Sequence, residues 1–356
     1  MRTVHVGLLG LGHVGSAVAS ALHRNGALFA HRTGVVPALS RVAVKHLHKP
    51  RAVVLEPGLL TDDAWAVVRD PRINVVVEAI GGVSPAGAYV EEALRRGKHV
   101  VTANKQLVSA RGRELGELAR RTDRSFAYEA SVGGAVPVIR MLKESLVGDR
   151  ITSLAAVING TANYILTRME EGIAFEDAQA AAQDLGLAEP DPSDDVDGHD
   201  AAAKLAIVAS LAFDVCIRPN QISYQGIRDV SVAEIQHARA AGAVIRLLAV
   251  ARRCATGIAA GIFPARIPLT HPLAQVRDEW NGFLVHTDLA GALFVTGRGA
   301  GGLPTASAIL ADLAAAVGRG GVPAPASIND IVPLSPADWA ADGIADGLKV
   351  SLLPRS

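Results

Sequence analysis

Apolar positions follow two different rhythms along this chain. Up to about residue 130, short apolar runs alternate with Ala- and Leu-rich stretches of helical composition. Val4–Leu9, Ile73–Glu78 and His99–Thr102 read as buried strands, Arg41–Lys45 as another, and Ser16–Arg24 as helix. Near-continuous apolar strands separated by helices predict a parallel sheet covered on both faces. Phe126–Pro137 reads as a strand running into a Gly-rich turn. From Ile151 to about Val295 strands mix with long Ala-rich helices and the βαβ rhythm is lost, which predicts a separate α+β layer. Two further helices are expected at Leu205–Phe213 and Ala306–Val317.

Composition narrows the class. A chain of 356 residues has room for two domains, and 49% hydrophobic content with 20% charged residues supports a sizeable core. The net charge is +0 with both signs spread along the chain, so no surface for nucleic acid is implied. Arg2 and the apolar run behind it imitate an export signal, but three glycines and His13 interrupt that run. The longest apolar runs reach about half a membrane span, so no transmembrane helix is expected. Cys216 and Cys254 lack metal-ligand spacing and are expected to be buried thiols of a reducing, cytoplasmic protein.

The first predicted strand is followed by Gly10-Leu11-Gly12-His13-Val14-Gly15 and then by a helix, the context in which G-x-G-x-x-G binds a dinucleotide. Gly10 serves the tight turn, Gly12 the approach of pyrophosphate and Gly15 the packing of helix on strand. The fold class expected is therefore α/β, with an N-terminal Rossmann-type doubly wound sheet. A site selective for NAD places an acid after the second strand. Here the loop reads Lys45-His46-Leu47-His48-Lys49-Pro50-Arg51, without an acid, which favours the 2′-phosphate of NADP over NAD. Lys105 follows the strand His99–Thr102, at the edge where cofactor and substrate would meet.

The segment Ala182–Lys204 is rich in carboxylates, broken by Pro and Gly, and leads into the apolar helix Leu205–Phe213. Asp200 and Lys204 stand four apart, on one helix face, where a carboxylate can orient an ammonium for proton delivery. Ser193, Asp195, Asp197 and Gly198 imitate a calcium loop, but its twelfth position is Lys204 instead of Glu, which excludes calcium. The carbonyls of the turn after Phe126 could wrap a hard cation such as Na⁺, with Glu129 close by. A second Gly-rich element, Val295–Thr305, could return the chain to the cofactor. No H-E-x-x-H, G-x-S-x-G or P-loop is present, and His46 and His48 lack the partners of a zinc site.

Together these motifs resemble homoserine dehydrogenase, in order from Gly7 to about Leu313. They are G-L-L-G-L-G-H-V-G, V-T-A-N-K, E-A-S-V-G-G-A-V-P, I-N-G-T-A-N-Y-I-L, the Ala182–Lys204 signature and G-R-G-A-G-G-L-P-T-A. The resemblance implies NADPH-dependent interconversion of L-aspartate 4-semialdehyde and L-homoserine, toward threonine, methionine and isoleucine. It implies Lys204 as proton donor with Asp200 beside it and Lys105 reaching both cofactor and substrate. Glu189 would hold the substrate's amino group, with Asp195 in the same pocket and Asn159, Gly160 and Thr161 along its border. Gly186 and Gly301 would approach the nicotinamide end. Glu129, Val132, Gly134 and Val136 match the family's structural monovalent-cation loop, mostly through main-chain oxygens.

The implied organisation is a nucleotide domain at 1–131, a substrate-binding and dimerisation domain at 132–298, a return segment at 299–340 and a tail at 341–356. A cytoplasmic homodimer acting on a small molecule is expected. Many relatives continue into a regulatory ACT domain, whereas the stretch Pro323–Ser356 is too short for one, so threonine feedback through it is not expected. The loop after the second strand also departs from many relatives, which carry an acid in place of His46. Two rivals share parts of this pattern: another Rossmann dehydrogenase on an amino-acid-derived carbonyl, and a non-catalytic NADP-binding regulator. The first does not require the full Asp200/Lys204 signature, and the second predicts loss of Lys204, Asp200 or Glu189, all of which are present.

Overall fold

Strand β1 (Arg2–Leu9) takes up the first apolar run, and helix α1 (His13–Thr33) begins after the turn Gly10–Gly12. The computed structural model describes residues 1–51 and 53–318, so the expected tail and the later part of the return segment fall outside the described residues. Gly34 ends α1 in the left-handed conformation and turns the chain directly into β2 (Val35–Ala43). This corrects the strand expected at Arg41–Lys45. The ladder with β1 runs from Arg2 opposite Val35 to Leu9 opposite Ala43. It stops where β1 stops, leaving Lys45 and the other cations in the following loop.

The first layer continues through β3 (Leu60–Thr61), α2 (Ala64–Arg69), β4 (Val75–Glu78), α3 (Ala86–Arg95), β5 (His99–Thr102), α4 (Lys105–Arg121) and β6 (Phe126–Ala127). All its strands pair in parallel, in the order β3-β2-β1-β4-β5-β6. Chain direction across the sheet reverses between β1 and β4, where such sheets open a crevice at their carboxyl edge. Strand β6 is shorter than expected: after Ala127 the chain coils into a 3₁₀ turn at Glu129–Ser131.

Helices of this layer end at the opposite, amino edge, where their last carbonyls need partners. Basic side chains supply them. Lys98, buried, donates to the carbonyls of Asp70 (2.5 Å) and Ile73 (2.7 Å). Arg124 donates to Gly97 (2.5 Å) and Arg2 to Val317 (2.6 Å). A cation there also meets the negative end of the helix dipole.

The second layer holds α5 (Val138–Arg140), β7 (Ile151–Val157), α6 (Gly160–Met169), α7 (Phe175–Asp184), α8 (Ser193–Val196) and α9 (His199–Phe213). It goes on through β8 (Ser223–Tyr224), α10 (Val232–Ala240), β9 (Ala243–Cys254), β10 (Gly257–Pro268), β11 (Trp280–Thr287) and β12 (Ala292–Arg298). Its mixed sheet has the order β12-β11-β7-β9-β10-β8. One face buries Leu154, Ala156, Leu247 and Val285 under Leu205 and Ala209 of α9 and Ile165 of α6. Helix α11 (Gly302–Ala316) then crosses back onto α1, where Ile309 and Leu313 share a core with Val18 and Leu22.

The two cysteines correct another expectation, since both are exposed. Cys216 lies in the connection after α9 and Cys254 at the end of β9 beside the hairpin turn, positions with too little packed chain around them to cover a thiol.

A buried ion pair ties the second layer together. Arg246 and Glu170, both buried, pair directly, while Arg246 Nε donates to Val276 (2.9 Å) and Arg277 reaches the other Glu170 oxygen at 2.7 Å. Arg246→Met is expected to destabilise the fold by about 3–5 kcal/mol, because it strands a buried carboxylate. Urea unfolding measures this, and an unchanged midpoint would mean that Arg277 alone satisfies Glu170.

Candidate active site

The crevice at the carboxyl edge of the parallel sheet is a cleft of about 1260 Å³, lined among others by Gly10, Gly12, His13, Lys45, Lys49 and Gly301. Local backbone requirements explain its glycines. Gly10 adopts φ +92°, and a Cβ there would stand 2.6 Å from the Ala79 carbonyl. A Cβ on Gly15 would stand 2.1 Å from the carbonyl of Gly10, so α1 can approach the turn only with glycine at that position. Gly12 has open space where a side chain would be, and the first N–H groups of α1 need partners. This cradle fits a pyrophosphate group.

Val14 and Gly15 shape the turn without lining the cleft. Arg51 lines it, yet its guanidinium donates to Lys49 O (2.7 Å), Leu47 O (2.9 Å) and His46 O, folding the basic loop on itself. Lys45 and Lys49 are exposed on that loop.

The opposite wall depends on a group that the motifs do not mark. Glu78, fully buried at the end of β4, accepts from the backbone N–H of Ile80 (2.8 Å) and Gly81 (3.1 Å) and from Thr102 Oγ1 (2.5 Å). Asn104, which caps α4 through Leu107 N (3.0 Å), also donates to Gly82 O (2.7 Å). An acid closing an otherwise apolar strand run was the available signal, because a fully buried carboxylate must have donors around it.

The acidic segment folds as its spacing suggests. Gly198, left-handed at φ 94°, ends the α8 turn and opens α9 two residues before Asp200. Asp200 is only 4% exposed, so its charge must be compensated locally. One oxygen pairs with Lys105, the first residue of α4, and the other lies 2.8 Å from Lys204 Nζ. Lys204 also donates to Ile158 O at 3.0 Å. Asn159 caps α6 by accepting from Ala162 N (2.7 Å), which aims its amide N–H groups at Asp195 (2.7 Å) and Asp200 (2.8 Å).

Electrostatics follow from this packing. Burial alone would raise the Asp200 carboxyl, but Lys204 and Lys105 outweigh it and hold the group far below the usual range. Burial likewise works against the Lys105 ammonium, yet Asp200 carries the net shift upward. Burial, then the neighbouring Asp200 charge, push Asp195 up against the Asn159 hydrogen bond. Two ammonium groups sharing one buried carboxylate can stabilise charge developing on a substrate oxygen and deliver a proton to it.

Other expected residues stand at different distances from this cluster. Thr161 Oγ1 donates to Leu187 O (2.9 Å), pinning the loop after α7 to α6, and Gly160 lies against the backbone of Glu279. Glu189 is exposed, and its carboxylate has no hydrogen bond or ion pair among the described residues. Gly186, left-handed at φ +69°, follows the Leu185 C-cap of α7, donates back to Gln183 O and does not line the dinucleotide cleft. Arg228, absent from the motifs, clamps Asp197 and Ser193 (3.1 Å) and so fixes the acidic turn.

In the expected cation loop both Glu129 oxygens accept backbone N–H, from Ile139 (2.8 Å) and Arg140 (2.7 Å). Burial pushes its carboxyl up to about 7 despite those bonds. The Val136 carbonyl accepts from Val138 N at 2.8 Å, and Val132 and Gly134 are buried in the same turn.

A doubly wound parallel sheet with a glycine-cradled crevice, beside a buried Asp–Lys–Lys cluster, defines a nicotinamide-dinucleotide oxidoreductase. Residues 10–129 match the family model of the homoserine dehydrogenase NAD-binding domain, and residues 137–314 that of homoserine dehydrogenase. The homoserine dehydrogenase of Synechocystis is 44% identical over 323 residues, 89% of this chain and 74% of the relative. That of Bacillus subtilis is 39% identical over 316 residues, 88% of this chain and 73% of its own. The crystal structure of a homoserine dehydrogenase from Thiobacillus denitrificans superposes with a TM-score of 0.84 at 42% identity, covering 88% of this chain and 73% of that one. The chain belongs to the homoserine dehydrogenase family, and is an oxidoreductase with a nicotinamide-dinucleotide-binding domain.

Asp200→Asn removes the charge that holds the Lys105 ammonium up. The alkaline limb of the kcat pH profile should therefore move to lower pH, with turnover reduced at least about 10²-fold. A limb that stays in place would show that Lys105 does not titrate under the control of Asp200.

Proposed function

We propose that the Asp200 cluster is the catalytic centre for the interconversion of L-homoserine and L-aspartate 4-semialdehyde, with NADP(H) preferred over NAD(H). The observation that carries this reading is the single buried carboxylate held between Lys105 and Lys204 and oriented by Asn159. A nicotinamide dinucleotide bound in the glycine cradle supplies or accepts the hydride. Lys204 delivers the proton to the substrate oxygen, and Lys105 adds a second positive charge beside it. Asp200 keeps Lys105 as an ammonium group and sets the direction of both lysines. Exposed and unpaired, Glu189 is available for the substrate's amino group, with Asp195, Gly160 and Thr161 shaping the same pocket.

The preference for NADP rests on the basic loop. With Arg51 tied to three carbonyls of its own loop, Lys45 and Lys49 are the cations available to a 2′-phosphate. A hyperthermophilic archaeal homoserine dehydrogenase, 25% identical with a TM-score of 0.75, is described in complex with NADPH, which accords with this. Gly301 faces the same cleft, and Gly186, at its loop, would approach the cofactor only from the substrate side.

A monovalent cation, Na⁺ by preference, would be held structurally at Glu129, Val132, Gly134 and Val136. Because the Glu129 oxygens already accept N–H groups, main-chain oxygens would be the ligands and the carboxylate would add its field. The exposed Tyr224, Phe263 and Phe294 on the second sheet support a homodimer through that layer. A division at 131 and 298 is supported by the end of the parallel sheet at Ala127 and the span of the mixed sheet from Ile151 to Arg298. No helix among the described residues is long and apolar enough to cross a membrane. The proposed cytoplasmic location is supported by membership of a family of biosynthetic enzymes.

The reaction is tested by absorbance at the reduced-nicotinamide band, with L-homoserine and NADP⁺ at alkaline pH. Growth of the band only with homoserine is the expected result, and a flat trace from protein that binds NADPH would defeat the substrate assignment. Lys204→Ala should lose at least about 10²-fold in turnover; near-normal turnover would remove it from the mechanism. Replacing Lys45 and Lys49 together by Gln should raise the KM for NADP⁺ at least about tenfold while leaving that for NAD⁺ nearly unchanged. Equal changes for both cofactors would show that the loop does not read the 2′-phosphate.

A further inference from the structure

Helix α11 begins at Gly302 without a capping side chain of its own, Gly301 having none to offer. Its first N–H would be an orphan, but the Gly302 N–H donates to Nε2 of His13, 2.7 Å away. His13 is the first residue of α1, inside the G-x-G-x-x-G turn. It thus caps a helix 289 residues further along the chain. Accepting at Nε2 puts the ring hydrogen on Nδ1.

The surroundings leave little freedom. A Cβ on Gly302 would stand 3.0 Å from Ala17 Cβ and 3.1 Å from His13 Nε2. The preceding residues are held just as closely: a Cβ on Gly299 would stand 2.1 Å from Asn281 Cγ, and Ala135 N donates to Arg298 O at 3.0 Å. Residues 298–302 are therefore clamped to the catalytic layer at one end and to the cofactor turn, through His13, at the other. Asn281 also donates to Ile158 O (3.3 Å), the carbonyl that anchors Lys204.

We propose that His13 is a positioning residue, a latch that closes the wall formed by residues 298–302 onto the cofactor turn and so sets cofactor affinity. This rests on the reading of the cleft as the dinucleotide site. The bond joins two loops that line the same cleft, so losing it releases one wall of that cleft.

The test compares wild type, His13→Ala, His13→Gln, Gly302→Ala and the His13→Ala/Gly302→Ala double variant, all as the full chain. NADPH binding is followed by fluorescence, and hydrogen–deuterium exchange of residues 299–305 is followed without cofactor. His13→Ala should bind NADPH about five- to tenfold more weakly and exchange faster in 299–305. The KM for NADP⁺ should rise while that for homoserine stays put. His13→Gln, whose amide oxygen reaches the place of Nε2, should recover most of both properties. Gly302→Ala, whose Cβ would also press on Ala17 Cβ, should be at least as impaired as His13→Ala, and the double variant should lose less than the sum of the two, since one bond is lost only once. Unchanged exchange in His13→Ala, no recovery in His13→Gln, or fully additive losses would each overturn the latch. Wild-type protein that fails to bind NADPH would instead defeat the cofactor reading, while the exchange data still decide whether the latch exists.

Discussion

A buried carboxylate that must be neutralised organises this molecule. Asp200 lies nearly out of reach of water, and an isolated charge there would be prohibitive. Its compensation comes from three places in the chain: Lys204 one turn along its own helix, Lys105 at the start of α4 and Asn159 at the start of α6. Lys105 belongs to the parallel layer and the other two to the mixed layer. The ion pair that lowers Asp200 is therefore also a bond between the layer that cradles the dinucleotide and the layer that carries the acidic segment.

The same economy recurs around it. Helix starts supply most of the functional geometry: α1 for the glycine cradle, α4 for Lys105, α6 for Asn159, α9 for Asp200 and α11 for one wall of the cleft. Each start leaves N–H groups unsatisfied, and each is answered in its own way. Asn104 and Asn159 cap through their own side chains, α11 borrows His13, and α1 has no capping side chain at Gly12. At the opposite edge the helix ends are closed by Lys98, Arg124 and Arg2, which accounts for the basic character of that edge without invoking an anion.

Much of this was legible from local pattern. The G-x-G-x-x-G turn, the β4 and β5 runs and the Asp200/Lys204 pair all depend on neighbours within a few residues, so spacing exposes them. Strand β2 was misplaced because its extent is set by the length of β1, which local composition does not contain. The cysteines were misjudged because burial depends on what packs over a residue, and both ended at element termini. Arg51 looked like a phosphate ligand until the loop curled around its guanidinium.

By itself the sequence determined the kind of chemistry: a dinucleotide turn, an acid–lysine helix start and an uninterrupted set of family motifs. These are short-range features, written by φ/ψ requirements and helical periodicity. Only the tertiary structure decided which groups share a charge. That Lys105 meets Asp200, that Thr102 meets Glu78, that Arg228 clamps the acidic turn and that His13 caps α11 are contacts between residues tens to hundreds of positions apart. Such contacts arise because buried polar groups must find partners wherever the packed layers bring them, and no local pattern records where that will be.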